Sequence, residues 1–153
     1  MHQSQTVRRH DGGAVVKAAR VWIGTPYHHQ ASLKGVGTDC LGLIRGVWRD
    51  LYGVEAEQAP GYSRDWGEVS GKETLVDAAL RHMIPRKDFV IPEPGDLLIF
   101  RMRPGAIAKH AALLATPSTM IHAMEDRLTS EVPFNTWWRR RLAAVFTFPG
   151  IAR

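Results

Sequence analysis

Gly37-Thr38-Asp39-Cys40-Leu41-Gly42-Leu43-Ile44-Arg45-Gly46-Val47-Trp48-Arg49-Asp50-Leu51-Tyr52-Gly53 spells out a complete helix, with its start, its buried face and its stop. Asp39 is placed as the cap, because a short carboxylate accepts backbone N–H groups that the first turn leaves unpaired. Leu43, Ile44, Val47, Trp48 and Leu51 recur at three- and four-residue steps and form one apolar stripe. Gly53 stands where a left-handed residue ends a helix. Cys40, the one cysteine of the chain, therefore opens this helix instead of lying in its stripe. Unpaired N–H groups and the positive end of the helix dipole favour thiolate over thiol there. A lone thiol is either a small buried hydrophobe or a nucleophile, and position alone leaves both readings open. It excludes an internal disulfide and a multi-thiolate zinc site.

On the N-terminal side, Val15, Ala18, Ala19, Trp22 and Ile23 repeat at helical spacing and predict a helix over 14–23, stopped by Gly24-Thr25-Pro26. Residues 24–39 read as a loop carrying Tyr27, His28 and His29, the two histidines either edging a groove or simply solvated. On the C-terminal side a turn-rich stretch covers 55–69. Ser70-Gly71-Lys72-Glu73 then has the form of a capping box opening a third helix, with Leu75, Val76, Ala79, Leu80 and Met83 as its stripe and Pro85 as its end. Beyond it the periodicity changes. Strands are predicted over 96–101, 109–115, 120–124 and 143–148, with 92–95 as a turn and 116–119 closing a hairpin. Helices first and an antiparallel sheet after them make an α+β domain. Residues 1–12 read as a flexible lead-in and 13–153 as the single domain.

Composition agrees. With 153 residues, 44% hydrophobic and 23% charged, the chain has enough apolar matter for one core and is excluded from the disordered class. No apolar run approaches the roughly 20 residues of a bilayer span, so membrane insertion is not expected. The net charge of +5 favours anionic surroundings such as nucleic acid or an anionic wall polymer. The polar N-terminus lacks the apolar region of a secretory signal, which predicts synthesis in the cytoplasm and no unaided exit by the general secretory route.

Two histidines complete a candidate constellation. His110 begins a strand that is apolar on both faces, and His122 lies in the next strand among Met120, Ile121 and Ala123. Each alone reads as a core histidine whose ring nitrogens need partners. On paired strands they fall within side-chain reach, so that one can act as base toward Cys40 while the other fixes its tautomer. The same three side chains are possible metal ligands, but Cys-x-x-Cys or His-x-x-x-His spacing is missing, so no metal and no cofactor is expected. Arg139-Arg140-Arg141 beside Trp137-Trp138 reads as a solvated edge with packed tryptophans, and no nucleic-acid motif accompanies it.

The blocks Trp22-Ile23-Gly24-Thr25-Pro26-Tyr27, Gly37-Thr38-Asp39-Cys40-Leu41-Gly42-Leu43, Gly95-Asp96-Leu97-Leu98-Ile99-Phe100, His110 and Ile121-His122-Ala123 stand in an order that resembles the NlpC family of papain-like cysteine peptidases. Leu41 after the cysteine, and the ending 140–146, resemble the subgroup of phage tails and phage-like gene transfer agents. The resemblance implies a papain-like domain that cuts peptidoglycan stem peptides beside D-glutamate, next to meso-diaminopimelate or lysine. By the same resemblance Cys40 is the nucleophile, His110 the base and His122 its orienting partner, with Tyr27 and Asp39 at the substrate. The implied partners are bacterial peptidoglycan and phage-like tail proteins, and the implied place of action is the periplasm or cell wall of a recipient. A tail component that keeps the fold without free-standing activity is the alternative. Many family members carry serine where this chain has Leu41, whose side chain cannot hydrogen-bond a free N-terminal amine of the stem.

Overall fold

Apolar stripes can be buried only against one another, and the way they pair sets the architecture of the computed structural model, which describes residues 11–56, 73–87 and 91–151. The chain runs through α1 (Gly12–Arg20), β1 (Ser32–Leu33), β2 (Gly37–Thr38), α2 (Cys40–Tyr52), α3 (Thr74–His82), β3 (Ile84–Pro85), β4 (Leu97–Phe100), β5 (His110–Thr116), β6 (Thr119–His122), β7 (Ser130–Pro133), α4 (Thr136–Arg139) and β8 (Leu142–Thr147). β1 and β2 form a small hairpin. The other six strands form one antiparallel sheet in the order β3-β8-β4-β5-β6-β7. The expected α+β domain, helices first and sheet after, is the fold of the chain.

The sheet has two unlike faces, as alternation along a strand requires. Leu97, Ile99, Ala111, Leu113 and Ile121 point toward α1 and α2, where they meet Val15, Ala19, Leu43, Ile44 and Val47. Leu98, Phe100, Ala112, Leu114 and Met120 point the other way and are covered by Phe134 and Trp138. Close approach on the helix side depends on glycine. A side chain at Gly46 would collide with the Trp22 indole, and one at Gly42 with the Ala31 carbonyl.

Several local expectations are corrected. α1 stops at Arg20, and Trp22 and Ile23 continue in tighter turns, their N–H groups donating to the carbonyls three residues back. Of the lead-in, residues 1–10 lie outside the described residues, while the Asp11 carboxylate accepts from the Ala14 N–H and caps α1. Ser70–Lys72 and most of the turn-rich stretch also lie outside them. Glu73 occupies the cap position of α3 with no side-chain capping bond, and its carboxylate accepts from Arg101 and from the Ala108 N–H. Leu80, expected in the α3 stripe, is 54% exposed. Pro85 does not end α3 directly. Met83 does so, and Ile84–Pro85 becomes an edge strand on β8, a place where a missing N–H is tolerated. Strands β1, β2, β3 and β7 and helix α4 were not expected, being two to four residues long with no period to read.

Candidate active site

Cys40 is held by what its neighbours do. The Asp39 carboxylate accepts from the Gly42 N–H at 2.7 Å with one oxygen and from the Gln30 N–H at 2.8 Å with the other. One bond caps α2; the second ties the 28–31 loop, where Gln30 sits at φ 64°, to the start of the helix. Only 3% exposed, Asp39 serves the site as a brace. The loop is fixed on its other side too, because Thr25 and Thr129 bond backbone to backbone and Tyr27 N–H donates to the Arg127 carbonyl. Tyr27 is thereby set beside the cysteine.

The register Leu113↔Ile121 and Leu114↔Met120 between β5 and β6 puts His122 across from Ala112, with His110 two residues further along the same face. Diagonal neighbours of this kind are within reach of long side chains. Their rings meet, His110 Nε2 to His122 Nδ1 at 2.9 Å, both side chains buried. The expectation of paired histidines on adjacent strands is met in full.

Cys40, His110, Tyr27 and Asp39 line one cleft of about 140 Å³, together with Leu41 and Lys109. His122 stands behind His110, outside the cleft wall. The Cys40 thiol donates to the Lys109 carbonyl at 3.7 Å. His29 and Tyr27 also border a larger groove of about 480 Å³ that continues past His28 and Arg127, so both loop histidines lie at the rim.

Burial sets the protonation of the site. It pushes the Cys40 thiol up to about 12, aided by the Asp39 carboxylate, against the pull of the N–H groups of Ala111, Leu41 and Cys40. The expectation that the helix terminus favours thiolate is therefore corrected: desolvation of a charged sulfur outweighs a few dipoles. Burial likewise holds His110 down to about 3, with His122 adding to the effect, and His122 down to about 4, with Arg127 adding. At rest the site is a neutral thiol beside neutral imidazoles.

One contributor went unread. Trp138 of α4 lies over both histidines, ring centroids 5.4 Å from His110 and 5.3 Å from His122, and Phe100 packs against it at 4.9 Å. Asn135, whose side chain accepts from the Trp138 N–H, begins the turn that places this indole. An Asn three residues before a tryptophan is the only signal the sequence holds, and it does not point at a histidine. As for metals, Cys40, His110 and His122 are capable donors, but the histidines spend facing nitrogens on each other. Among the described residues no group of three or more His, Cys, Asp or Glu side chains is arranged to hold an ion.

A cysteine opening a helix, set against a histidine on an antiparallel sheet, defines the papain-like class of cysteine peptidase folds. The chain belongs to the NlpC/P60 family, whose model matches residues 24–147. Members of that family are cysteine peptidases that act as peptidoglycan hydrolases. The fold is similar to that of an NlpC/P60 family protein from Bacillus cereus, at a TM-score of 0.65 and 20% identity over 90% of this chain and 40% of that one. It is also similar to the NlpC/p60 domain of the peptidoglycan hydrolase SagA, at 0.60 and 19% over 90% of this chain and 99% of that one. In sequence it is similar to the tail tip assembly protein K of Escherichia phage N15, 24% identical over 115 residues. That alignment covers 74% of this chain and 46% of the phage protein, so the chain spans less than half the length of this relative.

Proposed function

We propose that the chain is a cysteine endopeptidase that cuts peptidoglycan stem peptides as part of a phage or gene-transfer-agent tail, with Cys40 as nucleophile, His110 as base and His122 as its orienting partner. The observation that carries this reading is the 2.9 Å bond from His110 to His122 behind a cleft shared with Cys40. With Nε2 turned to His122, His110 offers Nδ1 to the cleft. His122 is kept neutral by burial and Arg127, which leaves its Nδ1 able to accept; this reading takes the tautomer in which it accepts the His110 Nε2–H, and the remaining His110 nitrogen then carries a lone pair. Tyr27 borders the substrate, and Asp39 serves it indirectly by fixing the loop and the helix start.

The resting thiol is neutral, so deprotonation accompanies attack. Sγ gives its proton to His110 Nδ1 and bonds to the scissile carbonyl carbon. The oxygen of that carbonyl takes the negative charge, against the Cys40 N–H at the helix start. His110 then protonates the leaving amine, the C–N bond breaks, and a thioester remains. Water, its proton taken by His110, cleaves the thioester and the proton returns to sulfur. The buried imidazolium formed on the way is stabilised by its bond to His122.

The test is mass spectrometry of muropeptides after purified peptidoglycan meets the chain or its Cys40→Ala form. The expected result is new stem fragments from the unsubstituted chain alone. No fragments from either folded protein overturns the endopeptidase reading and favours a tail component that keeps the fold without cutting.

A further inference from the structure

We propose that the arginine-lined groove beside Trp137 is a second binding site, which holds an acidic, sugar-bearing segment of a peptidoglycan strand while a stem peptide of that strand enters the Cys40 cleft. The inference rests on the wall-hydrolase reading above.

The groove holds about 470 Å³ and is bordered by Arg101, Arg103, Arg140 and Arg141, with no carboxylate among the described residues that line it. Arg101 is paired with Glu73, but Arg140 is exposed and makes no side-chain ion pair to any described residue. Arg103 and Arg140 are the exposed members of this wall, and a concentration of cations of this kind favours an anionic ligand. Trp137, 47% exposed, forms the floor, with the Arg141 guanidinium 3.6 Å above its ring and donating to its carbonyl. The guanidinium covers one face of the indole, and the part it leaves open is an apolar surface that suits the C–H groups of a sugar. Acid groups for the arginines and sugars for this surface occur together in a stem-bearing glycan strand.

Position ties this groove to the cleft. Phe100 of β4 pairs with His110 of β5 on one side and with Leu142 of β8, which lines the groove, on the other. The groove therefore opens at the same end of the sheet as His110, two strands away, about 10 Å at ordinary strand spacing. An extended peptide spans about 10 Å in three residues, so a stem of several residues covers the separation between the Leu142 and His110 backbones. Single-stranded nucleic acid is the competing ligand for arginines beside a tryptophan. Its binders stack successive bases on several rings, whereas Trp137 is the only aromatic among the exposed large apolar side chains of the described residues.

The experiment measures fluorescence polarisation of labelled glycan strands that still carry their stem peptides, bound to the Cys40→Ala chain. Arg140→Glu in that background is expected to weaken binding at least ten-fold, and Trp137→Ala several-fold, with unchanged thermal melting for the first. Strands stripped of stems are expected to bind less tightly than intact ones, and raising salt to about 0.5 M to weaken the intact ones, as screened charge pairs require. Affinity within two-fold of the parent for Arg140→Glu overturns the proposal. So does an unstructured oligodeoxynucleotide that binds more tightly than the strands. Binding is read on a protein without its thiol, so this result is scored apart from the cleavage test.

Discussion

The two faces of the sheet hold the two halves of the site in different ways. On one face, aliphatic side chains of α1 and α2 press on β4 and β5, and the thiol stands at the end of a thirteen-residue helix that is capped at both ends. On the other, the histidine pair lies under a thin aromatic cover, Phe134 and Trp138, supplied by a four-residue helix and the turn before it. The proposed nucleophile is placed by a long element with its own local logic. The proposed base is placed by contacts that exist only after β5, β6 and α4 have met. Damage on the first face is expected to touch chemistry alone at Cys40, and damage on the second to touch chemistry and stability together.

The largest effect is expected from Cys40→Ala, which removes the nucleophile. Stem-peptide cleavage falls by about 10⁵-fold or more while thermal melting stays within a few degrees of the parent. Loss of folding in that variant would break the contrast between the faces. Next is His110→Ala, expected to cost about 10⁴-fold in kcat with little change in KM, since the proposed base would act on the thiol and not on the ground-state substrate. Trp138→Ala is the test of the aromatic cover. It is expected to lower stability by about 3 kcal/mol and kcat by about ten-fold, read by urea unfolding and by turnover. A loss of stability with full kcat would make the indole packing only.

Acidity sharpens the comparison on the histidine face. Both histidines are held below the usual imidazole range in the folded chain, so the unfolded chain takes up protons first as pH falls. Their contribution is intact above about pH 6.5 and is lost below it, roughly 2 kcal/mol for each by pH 5. The melting temperature is expected to drop by about 10 °C between pH 7 and pH 5, and by about half as much in His122→Asn. The smallest effect is expected at the brace. Asp39→Asn keeps a capping side chain but removes the charge that helps raise the thiol, so iodoacetamide labelling of Cys40 is expected to begin at lower pH than in the parent.

The contrast between the faces also explains what was legible in the sequence. α2 could be read whole because cap, stripe and stop are all local, and Asp39 and Gly53 fill those places. The His110–His122 contact could be read because a short hairpin fixes its own register within a step. The state of the thiol could not, because the dipole at Cys40 is local while the burial that opposes it is a product of tertiary packing. Trp138 was visible as a residue and silent as a role for the same reason. Glu73 stands before α3, and its carboxylate accepts from Arg101, a tertiary partner that no local pattern announces.

The central claim is that His110 and His122 act on Cys40 as one relay, and a double-mutant cycle in kcat/KM on a stem-peptide substrate tests it most directly. If His122 works only through His110, His122→Ala costs about 10²-fold in the parent and nothing further once His110 is alanine. Losses that multiply in the double variant would contradict the relay and give each histidine a separate task.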